Sequence, residues 1–207
     1  MEYKVDKYEI YKNIGEVIRG PRLNSVKQTN NSNIEKVKIL NWPNLKKLCE
    51  GQSLDDIESS LIDMSRKNKK SDMYLKKGDI VIPVFPNENG KNVIYIEGDF
   101  NNYIYGELVF VLRLNENSPI SSQYLYMILS SESFIKKILE LSKGESALRY
   151  RLTNEILDNL MIPILDDESM KILLDDYTKI KQLEKEIKQR NKDFNNKIEQ
   201  INNVYTK

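Results

Sequence analysis

Residues 166–207 contain neither glycine nor proline, and their apolar and aromatic side chains recur at Leu173, Tyr177, Ile180, Ile187, Phe194, Ile198, Ile201 and Tyr205. The steps fit alternating spacings of four and three. Glu184 and Asn191 take two seam positions and Leu183 stands beside one. A heptad spacing sustained over that distance forces one long helix with an apolar seam. At 1.5 Å per residue, roughly 38 residues extend about 57 Å. An ordinary amphipathic helix lying on its own domain would also show a stripe, but the length and the sustained seam favour a second helix as the partner. The expectation is a helix from about 167 to 205 that dimerises through Leu173, Tyr177, Ile180, Ile187, Phe194, Ile198 and Ile201.

Residues 1–165 lack this period. Short alternating or continuous apolar runs, at 35–40, 80–85, 93–96, 108–114 and 161–165, predict strands. Ser121–Leu141 carries a helical stripe of Leu125, Ile128, Leu129, Ile135, Ile138 and Leu139. Residues 53–72 open on Ser53 and space Leu54, Ile57, Leu61, Ile62 and Met64 nearly as a helix does. Shorter helical patches follow Asn41-Trp42-Pro43 and Thr153. The fold class expected is α+β: a globular domain over 1–165 with a mixed, twisted sheet and short helices, then the helix of 166–207.

Composition removes several chemistries. There is no histidine, hence neither the commonest general base nor the commonest zinc ligand. Cys49 is the single cysteine, which excludes an internal disulfide and a cysteine metal cluster. No glycine-rich phosphate loop is present. The methyltransferase tetrapeptide of Asn or Asp, two prolines and an aromatic is missing as well, so the chain is not expected to transfer methyl groups alone. Asp79 with Glu97 and Asp99, and Glu88 with Lys91, match no nuclease spacing and read as turn acids. Asp166, Asp167 and Glu168 precede the long helix, where carboxylates meet its positive end. The expectation is a non-catalytic protein with no cofactor and no metal. No apolar run spans a membrane, the N-terminus has no signal-peptide core, and a lone thiol suits the reducing cytoplasm.

With 32 basic and 31 acidic residues the net charge is +1, so any nucleic-acid footprint must be local. Three segments concentrate cations. In residues 19–28, Gly20 and Pro21 make a loop in which Arg19 and Arg22 could fork onto guanine, Asn24 and Gln28 could pair with adenine, and Lys27 adds charge. In 143–151, Lys143, Ser146, Arg149, Tyr150 and Arg151 set two guanidiniums about an aromatic ring. Arg66, Lys69 and Lys70 suit phosphate contact.

In this order the elements resemble one target-recognition domain and its following helix from the specificity subunit of type I restriction–modification systems. Asn-Ile-Gly-Glu-Val-Ile-Arg-Gly at 13–20 matches the family's opening. Tyr-Leu-Lys-Lys-Gly-Asp-Ile-Val-Ile at 74–82 is close to its most recognisable strand. A helix begun by Tyr124-Leu125 runs to Ser142-Lys143-Gly144, and an Ile-Pro strand leads to the long helix. Where the family usually has consecutive prolines and a Glu-Gln pair, this chain has Ile-Pro-Ile-Leu-Asp-Asp-Glu-Ser at 162–169. The resemblance implies a half-size subunit that binds double-stranded DNA and directs a partner methyltransferase, with or without a restriction subunit, to a bipartite site. It would pair with itself, or with a second specificity chain, through the helix. The alternative is a regulatory, decoy-like protein that binds the modification subunit without productive DNA contact.

Overall fold

A computed structural model describes residues 3–20, 34–49, 59–63, 74–87, 92–98, 100, 103–143 and 150–205. The chain divides into two compact units, one of residues 7–164 and one of residues 1–6 with 165–207. The fold is α+β. Its elements are β1 (Val5–Ile10), α1 (Tyr11–Ile14), β2 (Gly15–Arg19), β3 (Ile34–Leu40), α2 (Trp42–Cys49), β4 (Ser59–Asp63), β5 (Ile80–Pro83), β6 (Ile94–Tyr95), β7 (Tyr103–Tyr105), β8 (Val109–Leu114), α3 (Ser122–Ser130), α4 (Glu132–Ser142), α5 (Asn154–Asp158), β9 (Met161–Leu165) and α6 (Asp167–Tyr205).

The larger unit is built on a four-stranded sheet in the order β2-β8-β5-β6, with every pairing antiparallel. β5 and the first four residues of β8 are buried at every position, so both faces of the sheet are covered. That is why Ile-Val-Ile-Pro and Val-Phe-Val-Leu are continuous apolar runs rather than alternating ones. On one face Val81, Val109 and Val111 join Leu40, Leu45, Leu75, Ile94, Ile96 and Tyr105 in a core cluster. On the other, Ile80, Ile82, Phe110 and Leu112 are buried as well. A second sheet, β4-β3-β7, mixes an antiparallel with a parallel pairing. β1 pairs with β9 in a ribbon of two strands.

Two expectations are corrected. The region 53–72 is not a helix at Ser59–Asp63. Those residues form β4, in register from Ile34↔Asp63 to Lys38↔Ser59, and the rest of the region lies outside the described residues. A short apolar group such as Leu61-Ile62 satisfies either period, and pairing with β3 decides the outcome. Nor is Ser121–Leu141 one helix. Ser131 ends α3 and caps α4, its Oγ accepting from the Phe134 N–H at 3.3 Å. Ser121 and Thr153 cap α3 and α5 in the same way, as short hydroxyl side chains at helix starts do.

In the smaller unit α6 runs without a break over 39 residues. The Asp166 carboxylate accepts from the Ser169 N–H at 2.8 Å, and Ser169 Oγ accepts from the Lys4 N–H at 3.1 Å. The Ser169 N–H therefore holds the Asp166 carboxyl below the usual aspartate range.

Candidate nucleic-acid interface

The strand-entering motif at 74–82 is a structural clamp. Gly78 has φ +91°, a conformation that side chains with a β-carbon resist, and its N–H donates to the Ile96 carbonyl at 2.8 Å. Asp79 is fully buried and accepts both from the Lys76 N–H, at 2.7 Å, and from Arg113. Arg113 Nε donates to Oδ1 and Nη2 to Oδ2, each at 2.8 Å, in a two-pronged ion pair. Burial alone would lower the Arg113 pKa, but its hydrogen bond to Asp79 and that carboxylate's charge raise it. Asp79 thus ties the turn before β5 to β8. Tyr11 closes the same edge, its hydroxyl donating within reach of the Glu16 and Arg113 carbonyls, both at 3.2 Å. Burial first, then the charges of Asp79 and Glu16, push the Tyr11 hydroxyl above the ordinary tyrosine value.

The first of the longer cationic segments departs from one end of this sheet, and the second, which leaves α4, returns to the chain beside the same end. Arg19 is the last residue of β2, opposite Phe110 of β8, and its exposed guanidinium lies 5.8 Å from the centre of that ring. The next residue, Gly20, donates to the Val109 carbonyl at 3.0 Å. A β-carbon on Gly20 would overlap the carbonyl of Gly106, so only glycine lets the chain leave the strand so close to the turn before β8.

At the end of β5, the Val84 N–H donates to the Leu108 carbonyl at 2.9 Å, and the Leu152 N–H donates to the Val84 carbonyl at 2.9 Å. The root of the second basic loop is closed by the Lys143↔Tyr150 bridge and by the Arg151 N–H on the Ser142 carbonyl at 2.9 Å. Lys143 and Arg151 are exposed and Tyr150 is half-buried. Gly20, Leu108–Val109, Val84 and Leu152 therefore form one row across the sheet end. The Asn154 side chain also donates to the Val17 carbonyl, at 3.3 Å, which links the start of α5 to β2.

Of the residues singled out in the sequence, Arg19, Lys143, Tyr150 and Arg151 are gathered at this end. Arg22, Asn24, Lys27, Gln28, Ser146 and Arg149 lie outside the described residues, as do Arg66, Lys69 and Lys70. A further basic and aromatic surface escaped sequence reading. Lys38 Nζ stands 5.6 Å from the Tyr103 ring centre, and Lys46 Nζ 5.8 Å from that of Trp42. Lys36 and Lys47 beside them are exposed. The signal was the run of four lysines between 36 and 47, hidden by apolar residues of β3 and α2 that face the other way. Among the described residues no cluster of acids and cysteine is arranged to hold a metal ion, and no helix is long and apolar enough to cross a membrane.

No protein-family model matches the sequence, and no curated protein matches it. Solved structures do. The chain is similar to the S subunit of a type I restriction–modification system from M. genitalium, with a TM-score of 0.50 and 15% identity over 89% of this chain and 42% of that one. It is also similar to the HsdS subunit from Thermoanaerobacter tengcongensis, with a TM-score of 0.48 and 13% identity over 86% and 37% of the two chains. A chain from a structure of a type I R-M system aligns with a TM-score of 0.49 and 15% identity. The fold is therefore one that a type I S subunit has, and this chain spans less than half of the M. genitalium subunit's length.

Proposed function

We propose that this chain is a DNA sequence-recognition subunit of a type I restriction–modification system, a protein that carries no catalysis of its own and directs a partner methyltransferase, with or without a nuclease, to its site. One observation carries the reading: the two segments that the sequence marks as basic have roots at the same end of one sheet, in a fold shared with an S subunit. Loop roots side by side at one sheet end suit entry into a single major groove. Arg19, Arg22, Lys27, Arg149 and Arg151 would line that groove. Arg66, Lys69 and Lys70 would hold phosphates, and the lysines of β3 and α2 extend the cationic surface. Residues 1–165 form the recognition domain in this reading, and 166–207 the helix for pairing and partner docking.

Assembly follows from α6. Leu173, Ile180, Ile187, Phe194 and Ile201 fall at intervals of seven, and Ile180, Ile187, Phe194, Ile198 and Ile201 are all exposed. An apolar stripe of that length in water is an association surface. Two chains joined there would bring two recognition domains to a bipartite site, since one domain reads too few base pairs to select sites in a genome.

The test is selection of duplex DNA from a random pool by the purified chain, then measurement of affinity against salt. Enrichment of a defined half-site, with affinity falling as a power of salt concentration, is expected. Retention of a methyltransferase subunit without any DNA enrichment would overturn the reading in favour of a regulatory protein.

A further inference from the structure

The row at the sheet end holds two side chains for which recognition by charge has no use. Phe85 follows Val84 directly and is 48% exposed; Leu108, whose carbonyl accepts from the Val84 N–H, is 56% exposed. Val84 and Val109, next to them in the chain, are each 1% exposed. A single exposed apolar residue is ordinary. Two at the chain turns that end β5 and begin β8, with Arg19 on one side of the row and Arg151 on the other, make this tip of the sheet apolar between cations. Glu107, also exposed, is the acid of this row and sits next to Leu108.

Phe85 lies in the bend that follows β5 and Leu108 in the turn that precedes β8; the Val84 N–H on the Leu108 carbonyl, at 2.9 Å, joins the two, and the strands that carry them are buried on both faces. The occupant must be polyanionic at its margins, to meet Arg19 and Arg151, and must present an apolar group between them. In a DNA major groove the phosphates lie at the rims, and the apolar group on the floor is the C5-methyl of thymine. A protein partner would more often meet the tip with a hydrophobic pocket and a polar rim of both signs.

We propose that Phe85 and Leu108 are specificity-determining residues that contact thymine methyl groups in the major groove, between Arg19 and Arg151. The inference rests on the reading of the chain as a DNA-recognition subunit. It adds what the arginines alone do not provide: a preference for A·T pairs at the centre of the half-site.

The experiment uses the full chain and the half-site selected from random duplex. Phe85→Ala and Leu108→Ala are each expected to lower affinity by about fivefold or more. They should leave the slope of log affinity against log salt unchanged, because no counterion is displaced by an apolar contact. Arg19→Ala and Arg151→Ala should instead flatten that slope by about one unit each. Replacing thymine by uracil, position by position, should reproduce the loss at one or two positions and should have no further effect on the alanine variants. The uracil series on the wild-type chain decides the matter even where a variant folds poorly. Uniform tolerance of uracil across the half-site, or alanine variants with wild-type affinity and sequence preference, overturns the proposal while leaving DNA recognition intact. Absence of DNA binding by the wild-type chain removes the underlying reading instead. Loss of methyltransferase association in the alanine variants with DNA binding unchanged would assign the tip to a protein partner.

Discussion

At the scale of single residues, the buried pair of Asp79 and Arg113 is sensitive to the loss of either partner. Asp79 is 1% exposed and its partner's side chain 14% exposed. Arg113→Ala leaves a carboxylate in the interior without its cation, which costs about 3–5 kcal/mol. Denaturant titration of the variant should show that loss with an unchanged slope. Arg113→Lys should recover only part of it, because an ammonium cannot reproduce the two-pronged contact. Gly20 tests the sheet end in another way. Gly20→Ala must push the backbone of Gly106 aside, whereas Gly98→Ala meets nothing within 4 Å. The first is expected to lower the thermal midpoint and the second to leave it nearly unchanged; equal behaviour of the two would remove the close approach from the account.

Among elements, α6 is the one whose start and surface can be tested separately. Its cap is the Asp166 carboxylate on the Ser169 N–H. Asp166→Ala should lower the thermal midpoint by a few degrees, followed by circular dichroism. The sign of the pH dependence follows from the depressed pKa. A carboxyl that ionises more easily in the folded state contributes stability above its ordinary pKa and loses it as pH falls through the lower, folded value. Asp166→Asn keeps a capping oxygen, so it should hold most of the midpoint near neutral pH and lose the acid-side decline. The caps of α3, α4 and α5 at Ser121, Ser131 and Thr153 are local in the same sense, and each lies within three residues of the N–H that it receives.

For the whole molecule the decisive quantity is its state of association. Ile187→Asp combined with Ile198→Asp places two charges on a stripe whose members are 58% and 41% exposed in the single chain. Sedimentation at micromolar concentration is expected to give a dimer for the unaltered chain and a monomer for the double variant. Asn191 and Glu184, on the seam, would then select register rather than add stability. A monomeric unaltered chain, or a double variant that remains dimeric, would take the helix out of the assembly.

The long helix, the cap at Thr153, the strand at Met161–Leu165 and the continuous apolar run of β8 were legible in the residues, because each rests on local rules: a period, a hydroxyl before a helix, a run buried on both faces; the break at Ser131 was not, since the apolar stripe continues across it. Tertiary structure decided the rest. Ser59–Asp63 became a strand because β3 lay beside it, and Tyr103–Tyr105 became one because a parallel partner, distant in sequence, supplied its hydrogen bonds. Asp79 was visible only as a turn acid, since its cation stands 34 positions away. Sequence could mark Arg19 and Arg151 as cations near glycine-marked loops, but not as neighbours. Their adjacency comes from strand order, β2 beside β8 beside β5, with Leu152 bonded to Val84. Such order depends on contacts between remote parts of the chain, which no local period encodes.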